Sequence, residues 1–323
     1  MEKLALVTGG TGFIGSALIR RLTERGWKVR ALVRHDPIPQ ALPQSTELMY
    51  GDIVDSNSVR RAVEGTNAVF HLAAKLHIDN PAPELRKEYQ DVNTTGTSTI
   101  VSAVKTLNVP RLIFFSTINV YGPSDPEQML DEDSPPRPQS VYAQTKLEGE
   151  QTALEGSPCV VLRLAAVYGP GMKGNYVRLY DMLKRGRFVY VGKGNNLRTL
   201  IYIDDVCDAA ILSAEHPLAI NRIFNLTDGS VHTLREIVNA ICFASGRRPP
   251  RLSVPKPVVY FAARIVEACF GALNRNPPIG RHTVDKLVEQ CAVSGSRIQN
   301  EIGFHPTIDL VRGWQKTVSH WRT

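Results

Sequence analysis

Cysteine is scarce and scattered: the five residues (159, 207, 242, 269 and 291) stand at least 22 positions apart, with no Cys-x-x-Cys pair. That spacing excludes a zinc finger, a dithiol redox motif and a disulfide-stapled miniprotein. An odd number of thiols fits a reducing compartment, and no metal site is expected. Long apolar runs are missing too. Only Leu4 to Val7 are apolar in a row ahead of Gly9 and Gly10, too few for a signal-segment core. The most apolar later stretch, Val258 to Leu273, is interrupted by Arg264 and Glu267. A membrane span needs about 20 mostly apolar residues, so this stretch reads as an amphipathic helix. The expectation is a cytoplasmic protein with no membrane partner. Disorder is excluded as well, because 43% of the residues are hydrophobic and only 21% charged, close to globular averages.

The 323 residues correspond to two domains or one large α/β unit. Short β-branched runs predict strands at Leu4–Thr8, Lys28–Val33, Glu47–Tyr50, Ala68–Leu72, Arg111–Ser116 and Cys159–Leu164. Helical patterns fall between them, at Phe13–Arg25, Ser56–Val63, Asn93–Leu107 and Val141–Ala153. This alternation predicts an α/β fold with a doubly wound parallel sheet, whose ligands sit at the carboxyl ends of the strands. Gly122 to Ser140, with five prolines and five acids, reads as a loop. After Tyr168-Gly169-Pro170-Gly171 the pattern becomes irregular. Helices are predicted at Tyr176–Lys184, Asp205–Glu215, Leu234–Ala244, Val258–Ala272 and Thr283–Glu289, with short strands at Phe188–Val191 and Leu200–Ile203.

Thr8-Gly9-Gly10-Thr11-Gly12-Phe13-Ile14-Gly15 lies between the first strand and the first helix. Glycines at 9, 12 and 15 give a tight turn, close approach of backbone to a pyrophosphate, and close helix–strand packing. The phosphates then meet free N–H groups and the positive end of the helix dipole. Such a Rossmann turn binds a dinucleotide. The expected division is therefore a dinucleotide-binding domain, residues 1–167 with 199–227 returning to it, and a smaller substrate-binding lid, 168–198 and 228–323. An acid at the end of the second strand would bind a ribose 2′-hydroxyl, whereas arginine accommodates a 2′-phosphate. Arg34 and His35 stand there, followed by Asp36. The cofactor is NAD(P), with NADP(H) favoured over NAD.

Tyr142-Ala143-Gln144-Thr145-Lys146 puts a phenol and an ammonium at i and i+4, on one helix face. A free tyrosine, with a pKa of about 10, is a poor base at neutral pH. A neighbouring cation favours the phenolate, so Lys146 and the oxidised nicotinamide together are expected to bring Tyr142 toward working range.

With these pieces together the chain resembles the extended short-chain dehydrogenase/reductases, in their nucleotide-sugar epimerase/dehydratase branch. The resemblance covers essentially the whole chain. It rests on TGGTGFIG, Asp52 after the third strand, His71-Leu72-Ala73-Ala74, Asn93 in DVNTTGT, FFSTINVYG, YAQTK, Leu162-Arg163 leading to VYGPG, and RTLIYIDDV from Arg198 to Val206. By that resemblance Tyr142 transfers the proton, Lys146 holds the nicotinamide ribose, and the hydroxyl 25 residues before the tyrosine, Thr117, bonds the reacting oxygen. Phe13, Ile14, Leu72, Ala73, Ala74 and Ser116 join the glycines at the cofactor, with Asp52 and Ile53 bordering the adenine. Asn93 supports the active-site helix. The family's diphosphate-binding arginine falls on Arg198 and its lid-helix asparagine on Asn175; Lys75, Thr117, Asn119 and Cys291 complete the substrate side. Family members are often homodimers through a four-helix contact, here Asn93–Leu107 with Val141–Ala153.

The net charge of +7 is concentrated. Between Met172 and Arg198 lie Lys173, Arg178, Lys184, Arg185, Arg187, Lys193 and Arg198 against Asp181 alone. Arg178, Lys184 and Arg185 read as a solvated helix face, and Arg198 as an anion ligand. Tyr176, Tyr180, Phe188 and Tyr190 suit lid packing better than nucleic-acid stacking, so no nucleic acid is expected. The partner that the resemblance implies is a nucleotide-diphosphate sugar. The resemblance also narrows the reaction: dehydratases of this branch carry an Asp-Glu pair after the catalytic threonine, where this chain has Ile118 and Asn119. A 4-epimerase is the first expectation, an NADPH-dependent 4-ketoreductase the second, and a hydroxysteroid- or flavonol-type dehydrogenase the third. A non-catalytic dinucleotide sensor would not need Thr117, Tyr142 and Lys146 intact. Counting back from Ser296-Arg297 puts Cys291 where related epimerases line the sugar pocket near C2, and a small residue there leaves room for an N-acetyl group.

Overall fold

The structure is a computed structural model that describes residues 3–34, 42–76, 85–125, 128–272, 284–285 and 288–321. Its strands are β1 (Leu4–Thr8), β2 (Lys28–Val33), β3 (Glu47–Tyr50), β4 (Ala68–His71), β5 (Leu112–Thr117), β6 (Cys159–Leu164), β7 (Ala166–Tyr168), β8 (Tyr190–Val191), β9 (Leu197–Arg198), β10 (Leu200–Tyr202), β11 (Arg222–Leu226), β12 (His232–Thr233) and β13 (Ser253–Val254). Seven of them form one sheet in the order β11-β6-β5-β4-β1-β2-β3, every pair parallel. The chain winds outward from β1 in both directions, which is the doubly wound arrangement.

The helices are α1 (Phe13–Glu24), α2 (Ser56–Val63), α3 (Leu85–Tyr89), α4 (Gly96–Thr106), α5 (Val141–Gly156), α6 (Asn175–Lys184), α7 (Ile203–Glu215), α8 (Leu234–Ser245), α9 (Lys256–Ala272), α10 (Ser296–Ile302) and α11 (Leu310–His320). Helices cover both sheet faces, so the inner strands read as nearly continuous apolar runs, and every residue of β5 and β6 is buried. The period-2 geometry splits these strands between two cores. Ala5, Val7, Ile113 and Phe115 pack toward Leu18, Ile19 and Leu22 of α1. Leu6, Leu112 and Phe114 pack on the other side, with Val59 of α2 and Ile100 and Val104 of α4. A third core gathers Tyr168, Tyr180, Tyr190, Tyr202, Ile237 and Trp314, from α6, α8, α11 and the short strands.

Several elements differ from the sequence expectation. Arg222–Leu226 was not predicted; its single internal Asn225 breaks the apolar run, and only pairing with β6 defines it. The helix expected over Asn93–Leu107 begins with a π turn, Gln90–Thr95, before α4. The fifth strand runs one residue further, so that Thr117 ends it. Of the helix expected at Thr283–Glu289, residues 283, 286 and 287 lie outside the described residues.

Close approach of α5 to β5 positions the candidate site, and it depends on a missing side chain. A Cβ on Gly149 would stand 2.8 Å from Phe114 Cζ and 3.3 Å from the Asn93 carbonyl oxygen. Alanine in a helix interior is otherwise favoured over glycine by about 1 kcal/mol. At this position overpacking, worth about 1–3 kcal/mol, should outweigh that gain. Gly149→Ala is therefore expected to lower the thermal midpoint in a calorimetric scan; an increase would show that α5 has room to move.

Candidate active site

The glycine turn is as tight as its sequence implies. Gly9 adopts φ +71°, and a Cβ there would lie 2.8 Å from Ala73 N. A Cβ on Gly15 would lie 2.2 Å from the Gly9 carbonyl oxygen. A Cβ on Gly12 meets only that oxygen, at 3.2 Å, so its outer side is open. No side chain caps α1, whose first turn also lacks acids, and Ser16 N donates back to Gly12 O at 2.9 Å. The N–H groups of Phe13, Ile14 and Gly15 thus face out of the helix end, a cradle suited to a pyrophosphate. Asp52 is exposed beside buried Ile53, and its Oδ1 accepts from Val54 N at 3.2 Å. Leu72, Ala73 and Ala74 are half-buried. Arg34 follows β2 and is exposed; His35 and Asp36 lie outside the described residues.

Beneath this turn runs a neutral hydrogen-bond chain that sequence reading did not find. Thr97 Oγ1 donates to the Asn93 carbonyl at 2.6 Å, and so accepts from His71 Nε2 at 3.1 Å. His71 Nδ1 is then the acceptor for the Thr8 hydroxyl at 2.7 Å, which itself accepts from Ala73 N at 3.2 Å. Burial, aided by the Lys146 charge, pushes the imidazole down to about 3, so the ring stays neutral. Asn93 Oδ1 accepts from Lys75 N at 2.8 Å, and its Nδ2 donates to Thr145 Oγ1 at 3.0 Å. The π turn thus fastens both the loop after β4 and helix α5.

Ser140 caps α5 by accepting from Ala143 N at 3.2 Å, which starts the helix directly before Tyr142 and Lys146. Lys146 is 2% exposed, with Nζ 4.0 Å from the Phe114 ring centroid. Burial presses its ammonium down to about 7, while Glu150 pulls the other way. Burial, with Tyr89 nearby, pushes the Tyr142 phenol up to about 12. Thr117 Oγ1 accepts from Asn119 N at 3.2 Å. Its neighbour Ser116 donates to Glu150 Oε1 instead. Of these two adjacent hydroxyls, Ser116 is committed to that buried carboxylate.

Glu150 belongs to a second network that sequence reading missed. Arg163 of β6 donates to it from Nε at 3.1 Å and from Nη2 at 2.7 Å, with both side chains under 5% exposed. Arg163 Nη1 donates to Tyr121 Oη at 2.8 Å, and that hydroxyl donates to Asn225 Oδ1 at 2.9 Å. Burial opposes the Arg163 charge, yet Glu150 raises the guanidinium above its ordinary range. A signal existed: Tyr142, Lys146 and Glu150 recur at i, i+4 and i+8 on α5.

On the candidate substrate side the structure brings Arg198 and Cys291 together through a parallel bridge, with Cys291 N donating to Leu197 O at 3.1 Å. Thr199 Oγ1 donates to the Cys291 carbonyl at 2.9 Å. Burial pushes the Cys291 thiol up to about 11 against the pull of Arg198. The same two residues act on Tyr176, whose phenol burial pushes up to about 12. Asn175, exposed at the first position of α6, directly precedes it. Asn119 is exposed on the turn after Thr117, and Lys75 Nζ pairs with Glu88 at 2.5 Å. Three other members of the basic run, Arg178, Arg185 and Arg187, line a surface groove of about 260 Å³ with Asp181 and Met182. Among the described residues no cluster of side chains could hold a metal ion.

A family model described as the NAD dependent epimerase/dehydratase family matches residues 5–227. The chain belongs to that family and is an NAD(P)-dependent epimerase or oxidoreductase of the short-chain dehydrogenase/reductase type. It is 29% identical to a UDP-glucose 4-epimerase of Vibrio cholerae, over 98% of this chain and 95% of that one. It is also 29% identical to a 2-alkyl-3-oxoalkanoate reductase of Stenotrophomonas maltophilia (strain K279a), over 96% and 97%. Among solved structures, MoeE5 in complex with UDP-glucuronic acid and NAD superposes with a TM-score of 0.77 at 27% identity, covering 98% of both chains.

The depressed Lys146 ammonium has a consequence for stability. Between about pH 7 in the fold and the ordinary 10.5, the unfolded chain holds a proton that the folded chain lacks. Folding stability from this residue therefore rises with pH across that window. In cofactor-free protein, the thermal midpoint of wild type relative to Lys146→Met is expected to climb from about pH 7 to about pH 9. A constant difference would show that Lys146 stays charged in the fold.

Proposed function

We propose that this protein is a nucleotide-sugar 4-epimerase whose substrates are UDP-hexoses or UDP-N-acetylhexosamines. The observation that carries the reading is the bridge holding Arg198 beside Cys291, next to Tyr176 at the head of α6. A guanidinium there can bind a diphosphate, and a small thiol beside it leaves space for a sugar substituent. In this reading residues 1–167 and 199–227 hold the dinucleotide, while 168–198 and 228–323 close over the sugar. The turn at Gly9, Gly12 and Gly15, with the N–H groups of Phe13 and Ile14, holds the pyrophosphate. Asp52 and Ile53 border the adenine, and Leu72, Ala73 and Ala74 line the approach from β4. Arg34 favours a 2′-phosphate and hence NADP(H).

When bound, the nicotinamide supplies the acceptor and donor of hydride at C4. Tyr142 moves the proton between its phenol oxygen and the sugar 4-oxygen, and Thr117 hydrogen-bonds that oxygen. Lys146 holds the ribose and offsets part of the cost of the Tyr142 phenolate. Asn93 and Ser116 act by fastening α5, through Thr145 and Glu150. Arg198 and Asn175 bind the diphosphate; Lys75, Asn119 and Cys291 face the sugar. The reading includes a homodimer through α4 and α5 in the cytoplasm.

A second reading, an NADPH-dependent 4-ketoreductase of a nucleotide ketosugar, is favoured by Arg34 and by the equal identity to a reductase. The two separate in one assay. An epimerase interconverts UDP-glucose with UDP-galactose, or their N-acetylated counterparts, with no net consumption of added NADPH. A reductase consumes NADPH with a 4-ketosugar and interconverts neither pair.

Tyr142→Phe keeps the ring and removes the proton-transferring oxygen, so turnover should fall by about 10²–10⁴ while the fold survives. Retention of half the wild-type rate would sink the mechanism. Arg198→Ala should weaken nucleotide-sugar binding at least about tenfold, the loss of a charge-assisted bond worth about 1.5–3 kcal/mol, and leave NAD(P) binding intact. Calorimetric titration showing equal loss of both affinities would make Arg198 structural.

A further inference from the structure

Helix α9 is apolar on two opposite faces. Ala263 is buried and Val259, Val266 and Phe270 are half-buried, at the spacing of one helix face turned toward the chain. Val258, Phe261 and Ile265 recur at i, i+3 and i+7 on the opposite face, where they are 54%, 67% and 49% exposed. A helix apolar all round is ordinarily covered all round. Among the described residues only one side is covered. Leu252, 72% exposed, lies just before α9; its carbonyl accepts from Tyr190 N at 3.1 Å, which sets it beside Val189, itself 39% exposed.

Basic side chains predominate around this face. No acid occurs from Ile237 to Val266, whereas Arg247, Arg248, Arg251, Lys256 and Arg264 all fall there, and all five are exposed. Arg187, two residues before Val189, extends the basic surface into the groove lined by Arg178, Arg185, Met182 and one acid, Asp181. A second copy of this chain docked by two-fold symmetry would set these cations against their own counterparts, which is repulsive. An anionic bilayer complements both features. Its headgroups attract Lys and Arg within a Debye length, and its headgroup–acyl boundary accepts the apolar side chains of a helix lying in the surface plane.

We propose that the outer face of α9, with Leu252 and its basic surround, docks the protein on an anionic phospholipid surface. The expectation of no membrane partner rested on the length required of a span, and no helix among the described residues is long and apolar enough to cross a membrane. A helix lying along the surface has no such requirement. The proposal is independent of which substrate the active site takes.

The test is sedimentation of the full-length protein with vesicles of phosphatidylcholine alone and of phosphatidylcholine with phosphatidylglycerol in equal amounts. Binding to the anionic vesicles should exceed binding to the neutral ones at least about tenfold, and should weaken as salt is raised. The double variant Phe261→Glu/Ile265→Glu should lower it at least about tenfold. Because both side chains are exposed, the melting curve and cofactor binding should be unchanged, which separates lost docking from lost folding. Arg247→Gln/Arg248→Gln/Arg251→Gln should reduce the preference for anionic over neutral vesicles. No binding to anionic vesicles, or binding indifferent to the glutamates, overturns the proposal. So does a dimer that the glutamates disperse, since it would assign this face to a second copy.

Discussion

One buried ion pair holds the site together. Glu150 and Arg163 are 1% and 3% exposed, and charges withdrawn from water cost several kcal/mol each unless their hydrogen-bonding capacity is filled. Here it is filled. The carboxylate accepts from Ser116 and from two guanidinium nitrogens, and the third nitrogen donates to Tyr121. Tyr121 passes the chain to Asn225, whose N–H donates to Glu132 at 2.7 Å and whose Nδ2 donates to the Ser294 carbonyl at 3.1 Å. A single charge pair thus ties α5 to β5, β6 and β11. It lies one turn beyond Lys146 and two beyond Tyr142, so the placement of both depends on it.

From the other side α5 is held by groups without charge. Asn93 reaches Thr145, the residue before Lys146, and the His71 relay fixes the π turn that carries Asn93. Lys146 is enclosed between these two networks with its ammonium against the Phe114 ring. Burial then acts on the two candidate catalytic groups in opposite senses, lowering Lys146 and raising Tyr142, and both shifts favour the uncharged forms. A rigid low-dielectric site of this kind has little charge of its own to spare. The i, i+4 spacing with Lys146, which in the sequence favours a phenolate, therefore does not by itself bring Tyr142 toward working range, because burial and Tyr89 push the phenol up to about 12.

Much of this was legible in the sequence, because strands, helices and the glycine turn are written in local patterns. Leu4–Thr8, Lys28–Val33 and Cys159–Leu164 have the bounds their β-branched runs imply, and Tyr142 and Lys146 share the helix their spacing required. Features defined by pairing across the chain were not legible. Arg222–Leu226 is a strand only because β6 runs beside it, and Arg163 showed nothing of its carboxylate partner 13 residues earlier. The π turn at Gln90–Thr95 has no local signature, since it follows from what Asn93 must reach. Counting back from Ser296-Arg297 gives Cys291 only an expected place near C2 of the sugar; its neighbour Arg198 follows from backbone pairing across 93 residues, which no count reveals.

The arginines show why composition underdetermines function. The sequence offers them as one basic excess, strongest between Met172 and Arg198. Surroundings divide them into separate roles. Arg163 is buried and its charge is spent on Glu150, so it gives cohesion and no attraction for a ligand. Arg198 is half-buried beside Cys291 and Tyr176, where partial desolvation strengthens the interaction of a cation with any neighbouring charge. Arg178, Arg185 and Arg187 stand in solvent around a shallow groove, where salt screens them and a single contact is worth little. Exposed arginines of that kind gain weight only in numbers and only beside apolar surface, the combination that Arg247, Arg248, Arg251 and Arg264 provide around α9. Burial, which periodicity reveals only face by face, therefore decides whether a given cation builds the fold, meets a small ligand or meets a large surface.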